Sequence, residues 1–347
     1  MKALALRHDG LVVGALAGRI ACHDIRDGSG KIVVRKGQTL DPAAAALALA
    51  APWEEIHVLE LEAGDVHEEP AGARIAQAAA GDGVEVRGYT GGQWTLAAAR
   101  RGLVGVRDAA LAEANAQPGV SVFTLWDLQP VDAGEVVAKA KVTPLAIGEH
   151  TVKQVEGSAW GASGLVTVRG FAPRTIGVVS RESLEPKQRA RFEAALQEKA
   201  DWFGSRLLPM RFSGGDAGAV ASDIEALMHE GADLVIMAGA SALDPLDPVF
   251  LGIERAGGRM ERHGVPAHPG SLLFLAWIGE RPVLGMPTCG MFSQATTFDL
   301  VLPRLLAGEH LDNVALASLG QGGLMSAESA WRFPPYRKNA ARGELDG

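Results

Sequence analysis

The stretch that decides the fold runs from Ala232 to Pro248 and reads ADLVIMAGASALDPLDP. It begins as a continuously apolar run, which predicts a strand buried on both faces. Small residues follow from Gly239, and Asp247 before Pro248 predicts a helix start with an N-cap acceptor and a first-turn proline. This order directs backbone N–H groups and a helix dipole toward an anion above the strand, although an ordinary strand-to-helix turn has the same pattern.

The chain around this stretch alternates strands with helices from Pro173 onward. Such alternation predicts a parallel sheet with right-handed crossovers, because a helix must return the chain before the next strand begins. We therefore expect residues 173–310 to form an α/β domain, a three-layer sandwich with a mainly parallel sheet. The predicted strands are Thr175–Ser180, Arg206–Met210, the run after Ala232, Leu272–Ala276 and Pro282–Gly285, and the predicted helices are Glu185–Phe203, Ala217–Glu230, Pro248–Ala256 and Phe292–Leu306.

Small and polar residues follow the ends of three of these strands. The loops are Ser180–Ser183, Ser213–Asp216 and Gly239–Asp247. Ligands of parallel sheets bind beyond the carboxyl ends of the strands. The sequence therefore predicts that these loops surround a binding site.

The first half of the chain has short apolar runs and turn residues without regular alternation. This pattern predicts a separate α+β domain over residues 1–147. Glycines break up residues 148–172, so we interpret them as a linker with connecting strands at Thr151–Val155 and Leu165–Arg169. Residues 311–347 are interpreted as a C-terminal tail.

The chain has 347 residues and a formal net charge of −8. An acidic chain has no general attraction to nucleic acid or to an anionic membrane, so any anion site must be local. The two cysteines, Cys22 and Cys289, have no metal-like spacing and fit a reducing compartment. Early charges in the N-terminal sequence do not fit a signal peptide, and no apolar run is long enough to span a membrane. We expect a cytoplasmic protein.

Three stretches of the first half combine residues that could bind a ligand. Cys22 and His23 are neighbours and would point to opposite faces of a strand, which favours structural roles over a metal pair. The stretch Asp65–Glu69 is either a helix cap with acids that complement the dipole, or a metal or acid–base site. The loop Gly91–Thr95 could contact a ligand or be a plain turn.

The order of elements after Pro173 resembles the molybdopterin-binding domain of molybdenum cofactor biosynthesis proteins. That family places a glycine-rich loop with Ser and Asp after its third strand, then a Pro-Gly loop, a hairpin and a Pro-Gly-Asn-Pro loop before its last helix. The first half is similar to the N-terminal region of a bacterial subgroup that carries this domain. The corresponding positions, with matching spacing, are Gly239-Ala240-Ser241, Asp247-Pro248-Val249, Pro269-Gly270-Ser271 and Gly285-Met286-Pro287.

Several positions depart from the pattern of that family. Where the insertase branch has Thr-Gly-Asp-Glu-Leu, this chain has Ser180-Arg181-Glu182-Ser183-Leu184. Ala240 replaces the second glycine of the third-strand loop, and Asp244 is displaced relative to the Gly-Asp of the family. His268 and the stretch Thr288–Gly290 replace the usual Lys and Gly-Asn-Pro. We interpret these changes as compatible with binding of a pterin phosphate and as unfavourable to metal insertion or nucleotidyl transfer.

The resemblance implies a site for molybdopterin or the molybdenum cofactor. The backbone amides of the Gly239–Ser241 loop would hold its phosphate, and Arg181 or His268 would supply positive charge. Asp244 and Asp247 could accept hydrogen bonds from the pterin or bind Mg²⁺, although Asp247 could equally be only an N-cap. The residues expected to bind the cofactor are Ser180, Arg181, Gly239, Ala240, Ser241, Asp244, Asp247, His268, Pro269, Gly270, Ser271, Pro287, Thr288 and Cys289.

Three functions are compatible with these residues. The first is a protein that binds molybdopterin or the molybdenum cofactor in its biosynthesis, carriage or sensing. The second is a molybdopterin molybdotransferase, with Glu182, Asp244 or Asp247 as catalytic candidates, and the third is a nucleotide-processing enzyme on the same fold. Cys289 is either a small buried hydrophobe or a thiolate that faces molybdenum. We expect a homo-oligomer whose partners are the pterin and a molybdoenzyme or biosynthetic protein.

Overall fold

The structure is a computed structural model that describes residues 1–181, 184–287, 290–291 and 295–336. The chain divides into two compact units. The N-terminal unit comprises residues 1–100, 104–127 and 132–168, and the C-terminal unit comprises residues 101–103, 128–131 and 169–347. In the described part of the chain, no helix is long and apolar enough to cross a lipid bilayer.

The chain up to Gly170 contains several small sheets and short helices. Its strands are β1 (Lys2–Arg7), β2 (Ile20–Ala21), β3 (Ile25–Arg26), β4 (Ile32–Val34), β5 (Glu55–Glu60), β6 (Asp65–His67), β7 (Val84–Thr90), β8 (Gln93–Ala98), β9 (Gly102–Val106), β10 (Val120–Thr124), β11 (Pro130–Val131), β12 (Val136–Val142), β13 (Ala146–Gly148) and β14 (Val166–Gly170). Its helices are α1 (Val13–Leu16), α2 (Pro42–Ala50), α3 (Glu68–Ala79), α4 (Asp108–Asn115) and α5 (Glu149–Gly161). The longest sheet of this part is antiparallel, in the order β10-β12-β8-β7.

Helix α5 corrects the interpretation of residues 148–172 as a linker with strands. The predicted strand over Thr151–Val155 is wrong, because these residues lie within the helix. Val152, Val155 and Ala159 recur at helical spacing and are fully buried. Gly157 and Gly161 lie in the helix, Gly164 follows it and Gly170 ends β14, and residues 148–168 belong to the N-terminal unit.

The rest of the C-terminal unit alternates strands and helices up to its third helix, as the sequence predicts. Its strands are β15 (Thr175–Ser180), β16 (Arg206–Leu207), β17 (Arg211–Phe212), β18 (Leu234–Ala238), β19 (Arg259–His263), β20 (Phe274–Ile278) and β21 (Arg281–Met286). Its α-helices are α6 (Pro186–Trp202), α7 (Ala217–His229), α8 (Pro248–Arg255), α9 (Phe298–Leu306) and α10 (Asn313–Ala317), and short 3-10 helices follow at Ser318–Gly320 and Ala327–Arg332.

The strands of this unit form one mixed seven-stranded sheet. The order is β16-β15-β18-β21-β20-β19. Strands β16 and β17 both pair with β15, β16 along its first half and β17 along its second half. Strand β20 runs antiparallel to both of its neighbours, whereas β15, β16, β17, β18 and β21 are parallel. The predicted strand Arg206–Met210 ends early, at Leu207, and the short strand β17 follows it at Arg211, because Pro209 between them has no N–H to donate.

Strand β18 is buried on both faces, as the sequence predicts. Successive side chains of a strand point to opposite faces. Ile236 belongs to a buried cluster that includes Phe192 of α6 and Phe298 of α9. Val235 belongs to a different cluster that includes Ile224 of α7. Helices therefore cover this strand on its two sides.

Candidate functional site

Three parallel strands of the C-terminal unit end level with one another. Ser180, the last residue of β15, pairs with Ala238 at the end of β18, and Ala238 pairs with Met286 at the end of β21. The loops that follow therefore leave the sheet side by side at its carboxyl edge. Gly239 has a φ of +79°, which side-chain-bearing residues rarely adopt, so a glycine lets the chain turn directly after β18.

A cavity of about 220 Å³ lies at this edge, and we call it the edge pocket. Its walls come from the loop after β18, the loop before β20 and the end of β21. Besides Ala242, Leu272, Phe274 and Met286, it is lined by residues that the sequence analysis assigned to the cofactor site. These are Ala240, His268, Gly270, Ser271 and Pro287.

Asp247 holds the loop after β18 in place. It is 5% exposed, and its Oδ1 accepts hydrogen bonds from the Val249 amide at 2.8 Å and from Arg181 Nη1 at 3.2 Å. Its Oδ2 accepts the Ser241 amide at 3.1 Å, so this amide is not free for a phosphate. Because three N–H donors surround the carboxylate, Asp247 acts as a helix cap and loop anchor and is poorly placed to bind Mg²⁺.

Asp244 stabilises a turn in the same loop. It is exposed, and its Oδ1 accepts the Leu246 amide at 2.9 Å, while its own amide donates to the Ser241 carbonyl at 2.9 Å. Ser241 is exposed and lies between the two alanines of the edge pocket without lining it. Across the described ranges, no group of three or more His, Cys, Asp or Glu could hold a metal ion.

Arg181 supplies positive charge beside the end of β15. Its amide donates to the Ala238 carbonyl at 3.0 Å, which fixes the residue at the strand end. Its side chain is 21% exposed and pairs with Asp247 through Nη1. Its buried Nε finds no hydrogen-bond partner in the part of the chain that the structure describes. Such an unpaired donor costs about 1–3 kcal/mol, so an acceptor at this point would be stabilising.

A second unpaired polar atom lies in the loop after β17. Ser213 is 6% exposed, its Oγ has no partner among the described residues, and its amide donates to the Ser180 carbonyl at 2.9 Å. The loop then enters α7, which Asp216 caps; the amides of Ala219 and Gly218 lower the pKa of this carboxylate. The sequence analysis placed the loop Ser213–Asp216 at the predicted site but did not include Ser213 among the residues expected to bind the cofactor.

The loop from His268 to Ser271 is fixed by backbone contacts. The His268 amide donates to the Gly323 carbonyl at 2.7 Å, and the His268 carbonyl accepts the Met325 amide at 2.9 Å. Gly270 has a φ of +105°, and a Cβ there would lie 2.4 Å from Thr297 Oγ1. Only glycine therefore fits this wall of the edge pocket without displacing its neighbours.

A buried ion pair supports the threonines behind this loop. Asp299 is fully buried, pairs with Lys199, and accepts hydrogen bonds from the Tyr336 hydroxyl at 2.8 Å and the Thr296 amide at 2.9 Å. Burial, with Asp299 nearby, raises the pKa of Tyr336 well above its usual value. The adjacent Thr297 donates to the Gly270 carbonyl. Sequence reasoning missed this cluster, since its three side chains are far apart along the chain.

Four residues that the sequence analysis singled out lie outside the described residues. They are Glu182, Ser183, Thr288 and Cys289. The predictions that Glu182 is a catalytic acid and that Thr288 and Cys289 contact a cofactor therefore stay predictions. Pro269 is described, and its carbonyl accepts the Thr297 amide at 3.0 Å.

The stretch Asp65–Glu69 of the N-terminal unit is a helix cap. His67 Nδ1 accepts the Glu69 amide at 3.2 Å, and His67 Nε2 lies 2.7 Å from the Gly37 carbonyl. These contacts fit a neutral imidazole with its proton on Nε2. Asp65 pairs with the amino group of Met1. The contacts favour the capping interpretation over a metal site.

Comparison with known proteins gives little further information. No protein-family model and no curated protein matches the sequence. Among solved structures, the chain is similar to the molybdopterin biosynthesis MoeA protein from Pyrococcus horikosii, with 14% sequence identity and a TM-score of 0.29. The match covers 88% of this chain and 75% of that chain. A TM-score this low carries no argument about fold or function, so the proposals below rest on the residues themselves.

Proposed function

We propose that this protein binds a phosphorylated pterin, molybdopterin or the molybdenum cofactor, at the carboxyl edge of the seven-stranded sheet. The role would be in biosynthesis, carriage or sensing of the cofactor. One observation carries the proposal. Three stretches that the family resemblance assigns to the cofactor, around Ala240, from His268 to Ser271 and at Pro287, contribute to the lining of one cavity.

The ligand would extend across this edge from β21 to β15. The edge pocket, at about 220 Å³, is smaller than the roughly 300–1,000 Å³ of typical whole-ligand sites, so it would take one end of the ligand. The pterin ring suits its lining, which includes Phe274 and Met286. The phosphate would lie near Arg181, where Arg181 Nε and Ser213 Oγ are unpaired donors at the strand ends.

The surroundings of Asp244 and Asp247 favour binding over the two enzymatic alternatives. Asp247 is surrounded by N–H donors, and Asp244 is exposed and caps a turn, so neither is placed as a free catalytic base. A molybdotransferase would therefore depend on Glu182. Mg²⁺-dependent turnover of ATP or adenylylated pterin would identify a transferase, and nucleotide binding without pterin binding would identify a nucleotide-processing enzyme.

The proposal includes the predicted organisation of the chain. The clusters on the two faces of β18 support a three-layer sandwich over residues 173–310. An N-terminal α+β accessory domain, a homo-oligomer, a cytoplasmic location and a molybdoenzyme or biosynthetic partner complete it.

The test is mass spectrometry of small molecules released from protein purified from a molybdenum-replete host. We expect a phosphorylated pterin from the wild type and none from Ala242→Glu, because the new side chain fills the edge pocket. The matched control is Ala190→Glu, which adds the same side chain to the exposed face of α6 and should keep the ligand. A pterin that is absent from the wild type, or retained by Ala242→Glu, contradicts the proposal.

A further inference from the structure

A cavity of about 640 Å³ lies within the N-terminal unit, and we call it the basic pocket. Three cationic side chains line it, from the end of β4 and from β12. These are Arg35, Lys36 and Lys141. Glu68 and Tyr89 also line it. The cavity is separate from the edge pocket, which belongs to the C-terminal unit.

The charges around the basic pocket do not cancel. Among the residues that the structure describes, the charged groups of Arg35, Lys36 and Lys141 form no ion pair or hydrogen bond, while the amides of Arg35 and Lys36 donate to the side chains of Gln38 and Asp24. The one acid of the lining is Glu68, whose negative charge contributes to the raised pKa of Tyr89. Three cations face one carboxylate in a chain whose formal net charge is −8. This local reversal of charge favours an anionic ligand.

The walls of the basic pocket suit a ligand that has an apolar or ring-shaped part. Its volume lies within the roughly 300–1,000 Å³ of small-molecule sites. Gly91 and Gly92 expose bare backbone in the turn between β7 and β8, and Leu59 and Leu145 add apolar surface. Tyr89, whose ring also packs against Trp94 at 5.5 Å, gives the lining an aromatic residue that can contact a ring of the ligand. The two motifs of the N-terminal unit that remained without a function, at Glu68 and at Gly91, thus line one cavity.

We propose that the basic pocket binds a phosphorylated small molecule whose ring packs against Tyr89. A phosphate monoester carries a charge of about −1.5 to −2 at neutral pH, which complements the excess of two positive charges in the lining. Arg35, Lys36 and Lys141 supply the positive charge that holds the phosphate. This inference does not rest on the function proposed for the C-terminal unit.

Cys22 reports on this pocket from inside, because it is half-buried and lines the cavity. The experiment compares its rates of reaction with an anionic and a cationic methanethiosulfonate reagent, followed by mass spectrometry of the Cys22 peptide and normalised to a small neutral thiol. We expect the anionic reagent to react roughly tenfold faster at low salt. Adenosine monophosphate at millimolar concentration should slow the labelling, and adenosine should slow it much less.

Two lysines of the same strand give matched variants. Lys141→Gln should reduce both the preference for the anionic reagent and the protection by adenosine monophosphate. Lys139→Gln, two residues away on β12 and outside the cavity, should leave both unchanged. Absence of protection by adenosine monophosphate, or equal protection by adenosine, overturns the proposal whatever the ratio of the two rates. Adenosine monophosphate should still protect Cys22 in Ala242→Glu, because that substitution fills only the edge pocket. The result at the basic pocket is therefore independent of the result at the edge pocket.

Discussion

The edge pocket and the basic pocket are built in opposite ways. The edge pocket is lined mainly by small and apolar residues, and the nearby cation Arg181 is already paired with the buried Asp247. The basic pocket is about three times larger and has three cations without acid partners. We therefore expect the edge pocket to select a ligand mainly by shape and close backbone approach, and the basic pocket mainly by charge. Substitutions should affect the two pockets differently, and the predictions below exploit this difference.

The largest effect is expected where the edge pocket is anchored. Asp299→Ala leaves Lys199 buried without its partner, and breaking such a pair costs about 3–5 kcal/mol. The Thr296 amide also loses its acceptor, so the wall formed by the Gly270 loop should loosen. Denaturant unfolding should show the loss in the C-terminal unit, while labelling of Cys22 in the basic pocket stays unchanged.

A double variant tests whether the destabilisation by Asp299→Ala comes from the unpaired charge that it leaves on Lys199. Lys199→Met with Asp299→Leu replaces both charges with apolar groups, so it should cost less than Asp299→Ala alone. Equal or greater destabilisation by the double variant would mean that the hydrogen bonds of Asp299 to Thr296 and Tyr336 stabilise this region more than the pairing of the two charges does.

A smaller effect is expected at Asp247. Asp247→Ala removes the cap of α8 and leaves the Ser241 amide and Arg181 unpaired, which should cost about 1–3 kcal/mol. Asp247→Asn keeps an acceptor for the cap and removes the charge that neutralises Arg181. We expect it to bind pterin as tightly as the wild type or more tightly in calorimetry. A strong loss of Mg²⁺-dependent affinity in Asp247→Asn would show that the carboxylate is a metal ligand.

The two tyrosines of the chain predict how stability changes at alkaline pH. Burial and the acids Glu68 and Glu69 raise the pKa of Tyr89 to about 12, and burial with Asp299 raises the pKa of Tyr336 well above 10. An unfolded tyrosine ionises near pH 10. Above that pH the unfolded chain loses protons that the folded chain keeps, so stability falls as the pH rises through the pKa of the folded state.

The measurement is the free energy of unfolding between pH 9 and pH 12. The fall should reach at most about 1.4 kcal/mol per pH unit for Tyr336, and Tyr336→Phe should remove that part. Tyr89→Phe should have a smaller effect, because Tyr336 donates its hydroxyl to the fully buried carboxylate of Asp299, whereas Tyr89 makes no such contact among the described residues. Absorbance at 295 nm should show one tyrosine that titrates near pH 12 and one that titrates only on unfolding. If both titrated near pH 10 in the folded protein, the contact of Tyr336 with Asp299 and the partial burial of Tyr89 beside Glu68 would be contradicted.

Local signals explain what could be predicted from the sequence. Strand β15 has the predicted bounds, and α8 begins at Pro248 as predicted, because apolar runs and helix caps act over a few residues. Strand β19 was missed because its sequence RMERH is mostly charged. Helix α5 was read as strand because glycines obscured its helical periodicity.

The parts that could not be predicted depend on contacts between distant residues. The cap at Asp247 follows from sequence, whereas the contact of Arg181 with Asp247 joins residues 66 positions apart. The pairing of Lys199 with Asp299 joins residues 100 positions apart, and no local pattern marks either partner. The basic pocket likewise gathers residues from six separated segments, so only the folded chain reveals its charge.

The central claim is that the pterin binds at the edge pocket and not at the basic pocket. Equilibrium binding of molybdopterin to the wild type, Ala242→Glu and Lys141→Gln in parallel tests it most directly. We predict that Ala242→Glu weakens binding by at least about a hundredfold, or roughly 2.8 kcal/mol, while Lys141→Gln stays within about twofold of the wild type. Loss of binding in Lys141→Gln with full affinity in Ala242→Glu would contradict the account, because the pterin would then occupy the basic pocket.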